Sequence, residues 1–246
     1  MMNVQRGVAI ATLFAMVSGV LLAADAVTHN VLTATEKEAG WKLLFDGKST
    51  DGWRGFQQES FPTNGWVVEE GCLKRNAKGG DLVTKETFLD FELSWEWKIV
   101  EKGNSGIKYL VDEARLDKKN GKVSKNALGN EYQMLDDGQY PELGRKFLTA
   151  SWYSVLEAKG ASPKPIGEFN QSKIVVNGNH GEHWLNGVKV LEYELGSPAT
   201  AELIATSNFK NVPGYAEKKK TLILLQDHGR DVWFRNMKIK EGSNKR

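Results

Sequence analysis

The stretch Phe91-Glu92-Leu93-Ser94-Trp95-Glu96-Trp97-Lys98-Ile99 alternates apolar and polar side chains without a break. Successive side chains of a strand leave on opposite faces. The pattern therefore predicts a strand with Phe91, Leu93, Trp95, Trp97 and Ile99 in a core and Glu92, Ser94, Glu96 and Lys98 outside it. Similar segments recur on both sides at short intervals. Upstream, Gly65 to Leu73 reads as strand, Glu-Gly turn, strand. Downstream, Gly103-Asn104-Ser105-Gly106 reads as a turn with Ile107 to Val111 as the return strand. Asn177-Gly178 and Asn186-Gly187 divide Lys173 to Leu191 into a three-strand meander, because Asn-Gly accommodates the positive φ of type I′ turns. Thr221 to Leu225 is a buried strand, and Val232 to Ile239 a closing one. Only Thr200 to Ser207 suggests a brief helix. Many short strands with aromatic faces predict an all-β, two-sheet antiparallel sandwich.

A second strand carries chemistry. In Glu131-Tyr132-Gln133-Met134-Leu135-Asp136-Asp137, Glu131 and Gln133 share one face while Tyr132 and Met134 take the other. If the second pair packs in the core, the first presents a carboxylate and an amide to a groove suited to a polar ligand such as a sugar. A solvated edge strand is the plain alternative. The charged stretch between Asp112 and Asn130 predicts an excursion loop beside this strand, where sites are often bordered.

With 33 basic and 31 acidic residues, net charge +2, no strong field selects nucleic acid or an anionic membrane as partner. The cluster Lys218-Lys219-Lys220 reads as a solvated loop. Arg6, the apolar run Gly7 to Ala23 and then Ala24-Asp25-Ala26 form a secretory signal peptide with its cleavage site. The expected organisation is residues 1–26 as signal, 27–38 as linker and 39–242 as one domain. The mature protein is then periplasmic or secreted, with no membrane insertion after cleavage. Cys72, the sole cysteine, excludes an intramolecular disulfide and reads as a small buried hydrophobe.

Phosphate-cradling and nucleophile-elbow patterns are absent. His180 and His183 are three apart, so a strand would face them oppositely, against a shared metal. His228 stands after an apolar strand where its ring could meet a cleft as acid, base or ligand, or simply bond a turn. Glu131, Asp136 and His228 are candidate ligands for a possible divalent metal ion, no cofactor being certain. Trp152 and Trp184 could stack on sugar, whereas Trp95 and Trp97 fall on the core side.

Five motifs in order, Trp41 to Gly47, Gly103 to Tyr109, Glu131 to Asp137, His183 to Gly187, and Leu225 to Gly229 through Val232 to Asn236, resemble the 3-keto-disaccharide hydrolase family over residues 39 to 241. Members carry Gly-Ala/Ser-Leu-Tyr where this chain has Thr149-Ala150-Ser151-Trp152-Tyr153, keeping the tyrosine. The resemblance implies a concanavalin-like jelly roll in an exported enzyme acting on an oxidised (3-keto) glycoside or disaccharide. The 3-ketone acidifies the C2 proton, so a base forms an enolate that expels the C1 oxygen, and water addition completes net hydrolysis. The expected catalytic residues are Glu131 as base, His228 as acid and Asp136 as orienting group, with Glu96, Asn104, Lys108, Gln133, Tyr153 and Trp184 against the substrate. Two other readings stand beside this one. The first is conventional two-carboxylate glycoside hydrolysis by Glu131 with Glu96. The second is a sugar-binding module without catalysis.

Overall fold

Tight turns at glycine and asparagine cut the chain into short strands. The structure, a computed structural model, describes residues 29–116 and 121–242, so the expected signal peptide lies outside the described residues. The strands are β1 (Trp41–Leu43), β2 (Trp53–Gly55), β3 (Trp66–Glu69), β4 (Cys72–Arg75), β5 (Leu82–Thr84), β6 (Phe91–Ile99), β7 (Asn104–Val111), β8 (Asn130–Leu135), β9 (Asn170–Asn177), β10 (His180–Leu185), β11 (Val188–Glu194), β12 (Leu222–Leu225) and β13 (Val232–Glu241). Helix α1 (Ala34–Glu38) starts with a capping box between Thr33 and Glu36, and α2 (Pro198–Ala205) is capped by Ser197 with proline in its first turn. No described helix is long and apolar enough to cross a membrane.

The strands form two antiparallel sheets. The larger runs β11-β10-β9-β6-β13-β4-β3, with β1 also on β13, and the smaller runs β2-β5-β12-β7-β8. The core lies between them. Trp95 of β6 meets Tyr132 of β8 edge-on at 4.9 Å, and Phe91 meets Tyr109 of β7 at 6.4 Å. Deleting such a fully buried ring removes transfer energy and leaves a cavity, at a cost of about 3–5 kcal/mol. The alternation along β6 is realised as expected, with Phe91, Leu93, Trp95, Trp97 and Ile99 all buried. Cys72 is 3 % exposed.

Two local expectations change. Gly103-Asn104-Ser105-Gly106 is not a turn: β7 already begins at Asn104, and the reversal lies just before it, with Lys102 at φ 57°. In the meander, Asn186 (φ 49°) and Gly187 (φ 84°) both take positive φ, as a type I′ turn needs. At the other reversal β9 extends through Asn177. The turn residues are Gly178 and Asn179, with only the glycine at positive φ (59°), the type II′ arrangement. Lys218 and Lys219 pair with Asp90 and Asp112, so most of the basic cluster is neutralised locally.

Candidate active site

Alternation puts Glu131 and Gln133 on the side of β8 facing away from the core, opposite Tyr132 and Met134. Pairing then sets their neighbours. Lys108 lies across from Glu131 and Gly106 across from Gln133, and the same row continues through Leu224 of β12 and Val83 of β5 to Arg54 of β2. Residues 150–156 add an irregular strip along the free flank of β8. There Tyr153 N–H donates to Glu131 O at 3.0 Å, Gln133 N–H donates to Ser151 O at 3.2 Å, and Trp152 bridges to Tyr132. The outer face of the smaller sheet thus carries Arg54, Lys108, Glu131 and Tyr153 along one transverse line. One half is closed by Phe56 and Ala127 over Val83, Val111, Leu222 and Leu224. Arg54 grips Glu113, which also accepts Gln57 N–H at 2.7 Å, so the expected excursion loop borders the site.

Glu131 is 6 % exposed, yet among the described residues it has no tight ion-pair partner. Lys108 Nζ stands 3.6 Å from Oε2 and donates to Ala127 O at 3.2 Å. The amide of Gln133, with its nitrogen turned to donate, lies 3.1 Å from Glu131 Oε1 and 3.2 Å from Ser105 O, and its other side is 3.5 Å from Asn104. Burial raises the Glu131 carboxyl above the ordinary carboxylate range, and the positive charges of Lys108 and then His228 pull it back only in part. Burial raises the Tyr153 phenol too, helped by the negative charge of Glu131. A buried carboxyl with raised proton affinity beside one ammonium is suited to take a proton from carbon. Gly106 makes its position possible. A Cβ there would stand 3.0 Å from Glu131 Oε1 and 3.1 Å from Cγ.

A second line on this face escaped the sequence. One register step beyond Leu225↔Leu82, Gln226 and Asp81 lie side by side, and Gln226 N–H donates to Gly106 O at 3.0 Å. The buried Oε1 of Gln226 has no hydrogen-bond partner among the described residues. Asp81 Oδ1 accepts Asp227 N–H at 2.8 Å. Asp227 in turn accepts Gly79 N–H and Gly80 N–H, each at 2.8 Å, and pairs with Arg75 at 2.6 Å. Burial raises the Asp81 carboxyl as well, opposed by that hydrogen bond and by Lys108 and His228. The only sequence signal for Asp81 was its place after a glycine pair before an apolar strand, which also suits an ordinary turn.

Residues 40–240 match the 3-keto-alpha-glucoside-1,2-lyase-like domain. The chain belongs to this family. A 3-keto-disaccharide hydrolase from Bacteroides thetaiotaomicron is 36% identical over 229 residues, covering 82% of this chain and 78% of that protein. Among solved structures, a putative glycosyl hydrolase from Parabacteroides distasonis superposes with TM-score 0.78 at 32% identity, over 88% of this chain and all of that one. Another from the same organism gives TM-score 0.60 at 27% identity, over 82% of this chain and 99% of that one.

In this lyase-like chain, Lys108, Gln133, Asn104 and Tyr153 gather around Glu131, and the charge of His228, exposed on the turn after β12, acts on both Glu131 and Asp81. Three expected residues lie elsewhere. Asp136, five positions from Glu131, has the opposite strand parity. Its Oδ2 accepts Lys102 N–H at 2.8 Å, and it lines a separate cavity of about 290 Å³ with Trp97, Asp137 and Asn170. Glu96 projects from the solvent face of the larger sheet, where it accepts from Arg235 Nε and Asn236 Nδ2, each at 2.8 Å. The core separates it from Glu131, so the two do not form a hydrolytic pair. Trp184 shares that far face, bonded to Glu182 and covered by Lys173 at 4.2 Å.

Glu131, Asp136 and His228 also do not converge as metal ligands. Among the described residues, the group whose donor atoms lie within 4.8 Å of one another is His180, Glu182 and Glu192. Lys189 already bridges its two carboxylates, at 3.2 and 2.5 Å. His183 faces the core and His180 the other side of β10, opposed as their spacing predicts. His183 Nδ1–H donates to Ala150 O at 2.9 Å, which leaves Nε2 to accept from Tyr109 OH at 2.8 Å, whose oxygen accepts from Tyr193 OH at 2.7 Å.

Proposed function

We propose that the protein cleaves 3-keto-glycosides by elimination and hydration, with Glu131 as the base that removes the C2 proton. Membership of the 3-keto-alpha-glucoside-1,2-lyase-like family supports the substrate class. The observation that carries the mechanism is the environment of Glu131: buried, raised in proton affinity, 3.6 Å from one lysine and flanked by an amide. A C2 proton is acidified only when C3 is a ketone, so the site needs a base and a cation for the enolate and no strong nucleophile. Lys108 is that cation, and Gln133 steadies the carboxylate. Asn104, Tyr153 and Gln226 Oε1, which has no partner among the described residues, are left for sugar hydroxyls. The departing C1 oxygen needs a proton, and beside Lys108 the groups whose charges reach Glu131 are His228 and Asp81. The apolar run Gly7 to Ala23 with Ala24-Asp25-Ala26 behind it is what supports export.

The test separates proton abstraction from bond cleavage. In deuterium oxide, wild type is expected to exchange the C2 hydrogen of a 3-keto-glucoside and release the aglycone, while Glu131→Gln does neither. Removing a general base of this kind costs about 10²- to 10⁴-fold in rate. Exchange at the wild-type rate in Glu131→Gln would overturn the assignment. Cleavage of unoxidised glycosides at a similar rate would overturn the substrate class.

A further inference from the structure

We infer that Asp81 is the acid that protonates the departing C1 oxygen and the base that then deprotonates the incoming water. The inference rests on the elimination reading and adds a residue to it. Asp81 and Glu131 come from opposite parts of the smaller sheet, three strand spacings apart (~14 Å between backbones). Both point to the same outer face, and between them the sheet presents a glycine, a lysine and a glutamine. A sugar ring laid over Gly106 has Glu131 at one side and Asp81 at the other. Asp81 is also held in place. Its Oδ1 takes Asp227 N–H, Asp227 is anchored on two backbone amides and Arg75, and the second carboxylate oxygen has no hydrogen-bond donor among the described residues. His228 is exposed beside Gly229 (φ 95°) and has no hydrogen bond among the described residues, none of which fixes its ring. Gln226 Oε1, adjacent to Asp81 and without a partner among the described residues, can accept a sugar hydroxyl on the same line. Burial favours the protonated form of Asp81, the form that a donor needs.

The steps balance. Glu131 takes the C2 proton, and the C–H pair becomes the enolate double bond. The enolate re-forms the ketone as the C1–O bond breaks, and the leaving oxygen receives the Asp81 proton, giving the alcohol and a 1,2-unsaturated 3-ketone. Asp81, now a carboxylate, takes a proton from water as its oxygen adds to C1, and Glu131 returns a proton to C2. The net change is 3-keto-glycoside plus water to 3-keto sugar plus alcohol.

An acid to a leaving group is exposed by changing that group. For Asp81→Asn, kcat/KM is expected to fall about 10²-fold or more on methyl 3-keto-glucoside but less than about tenfold on the 4-nitrophenyl analogue, whose phenolate departs without help. C2 exchange in deuterium oxide persists. Asparagine keeps an acceptor for Asp227 N–H. Asp227→Asn serves as the control for the clasp itself, because it loosens the clasp while leaving the Asp81 carboxyl present. It should lower the melting temperature and, by loosening the acid, slow the methyl substrate more than the 4-nitrophenyl one, though by less than Asp81→Asn does. Equal losses on both substrates in Asp81→Asn, or a leaving-group-dependent loss in His228→Asn instead, would overturn the assignment to Asp81. Absence of C2 exchange in wild type would instead overturn the elimination reading, whatever Asp81 does.

Discussion

Glu131 lives at an unfavourable address for a charge, and the direction of its pKa shift gives two measurable consequences. As a base it works only when ionised, so the acidic limb of kcat/KM should lie above the ordinary carboxylate value of 4.5, with activity rising as pH increases through it. For stability the sign is opposite. The folded-state pKa is raised, so the folded chain loses stability relative to the unfolded one as pH rises from 4.5 through the folded value. Glu131→Gln should therefore melt no lower than wild type at pH 8, with any advantage gone at pH 4. Gly106 is the other decisive residue. Gly106→Ala places a methyl group 3.0 Å from Glu131 Oε1 and the same distance from Tyr132 O. We expect about 1–3 kcal/mol of lost stability and up to ~100-fold lower kcat, read by thermal melting and steady-state kinetics. Parity made Glu131 and Gln133 legible in the sequence, because a strand period of two fixes which side chains share a face. The same rule should have excluded Asp136, an odd number of residues away. Asp81 was illegible, because its nearness depends on the pairing of β5 with β12 and β12 with β7, and none of those pairings is written in local sequence.

Among the elements, the β9–β10–β11 meander was the most legible, since alternation and turn signals agree, although the first reversal falls one residue later than its Asn-Gly pair. Its bearing on the site was not visible. His183 ties β10 to Ala150 in the strip beside β8, and Ala150 takes φ 66°, unfavourable for alanine, at the corner that leads to Tyr153. Burial lowers the His183 imidazole to about 4 from its ordinary 6.5. Below pH 6.5 the unfolded chain binds a proton there that the folded chain does not, so this residue subtracts stability as pH falls from 6.5 to about 4. His183→Gln should lose about 1–3 kcal/mol at pH 7 through disturbed buried hydrogen bonds. Its stability should also decline less steeply than that of wild type between pH 6.5 and 4, measured by denaturant melts across that range. The glycine-bearing stretch at the start of β7 misled for a related reason. Glycine marks turns, but it also marks close approach, and Gly106 serves the second purpose inside a strand.

At the scale of the molecule, the two sheets turn different chemistry outward. The smaller carries Glu131, Lys108 and Asp81, whereas the larger carries Glu96, Arg235, Trp184 and their lysines in local pairs. If cleavage used Glu131 with Glu96, Glu96→Gln would abolish it. We expect instead activity within about twofold of wild type on a 3-keto-glucoside, and about 0–1 kcal/mol of lost stability from the partly exposed pair with Arg235. The two-sheet architecture was readable from strand number and alternation. Which outer face holds the chemistry required the register. The cramped fit of Glu131 over Gly106 reaches beyond this chain. Anyone grafting the reactive carboxylate onto another sandwich must transplant the bare position on the adjoining strand with it, and random libraries that vary either site alone will discard the working combination before it can be found.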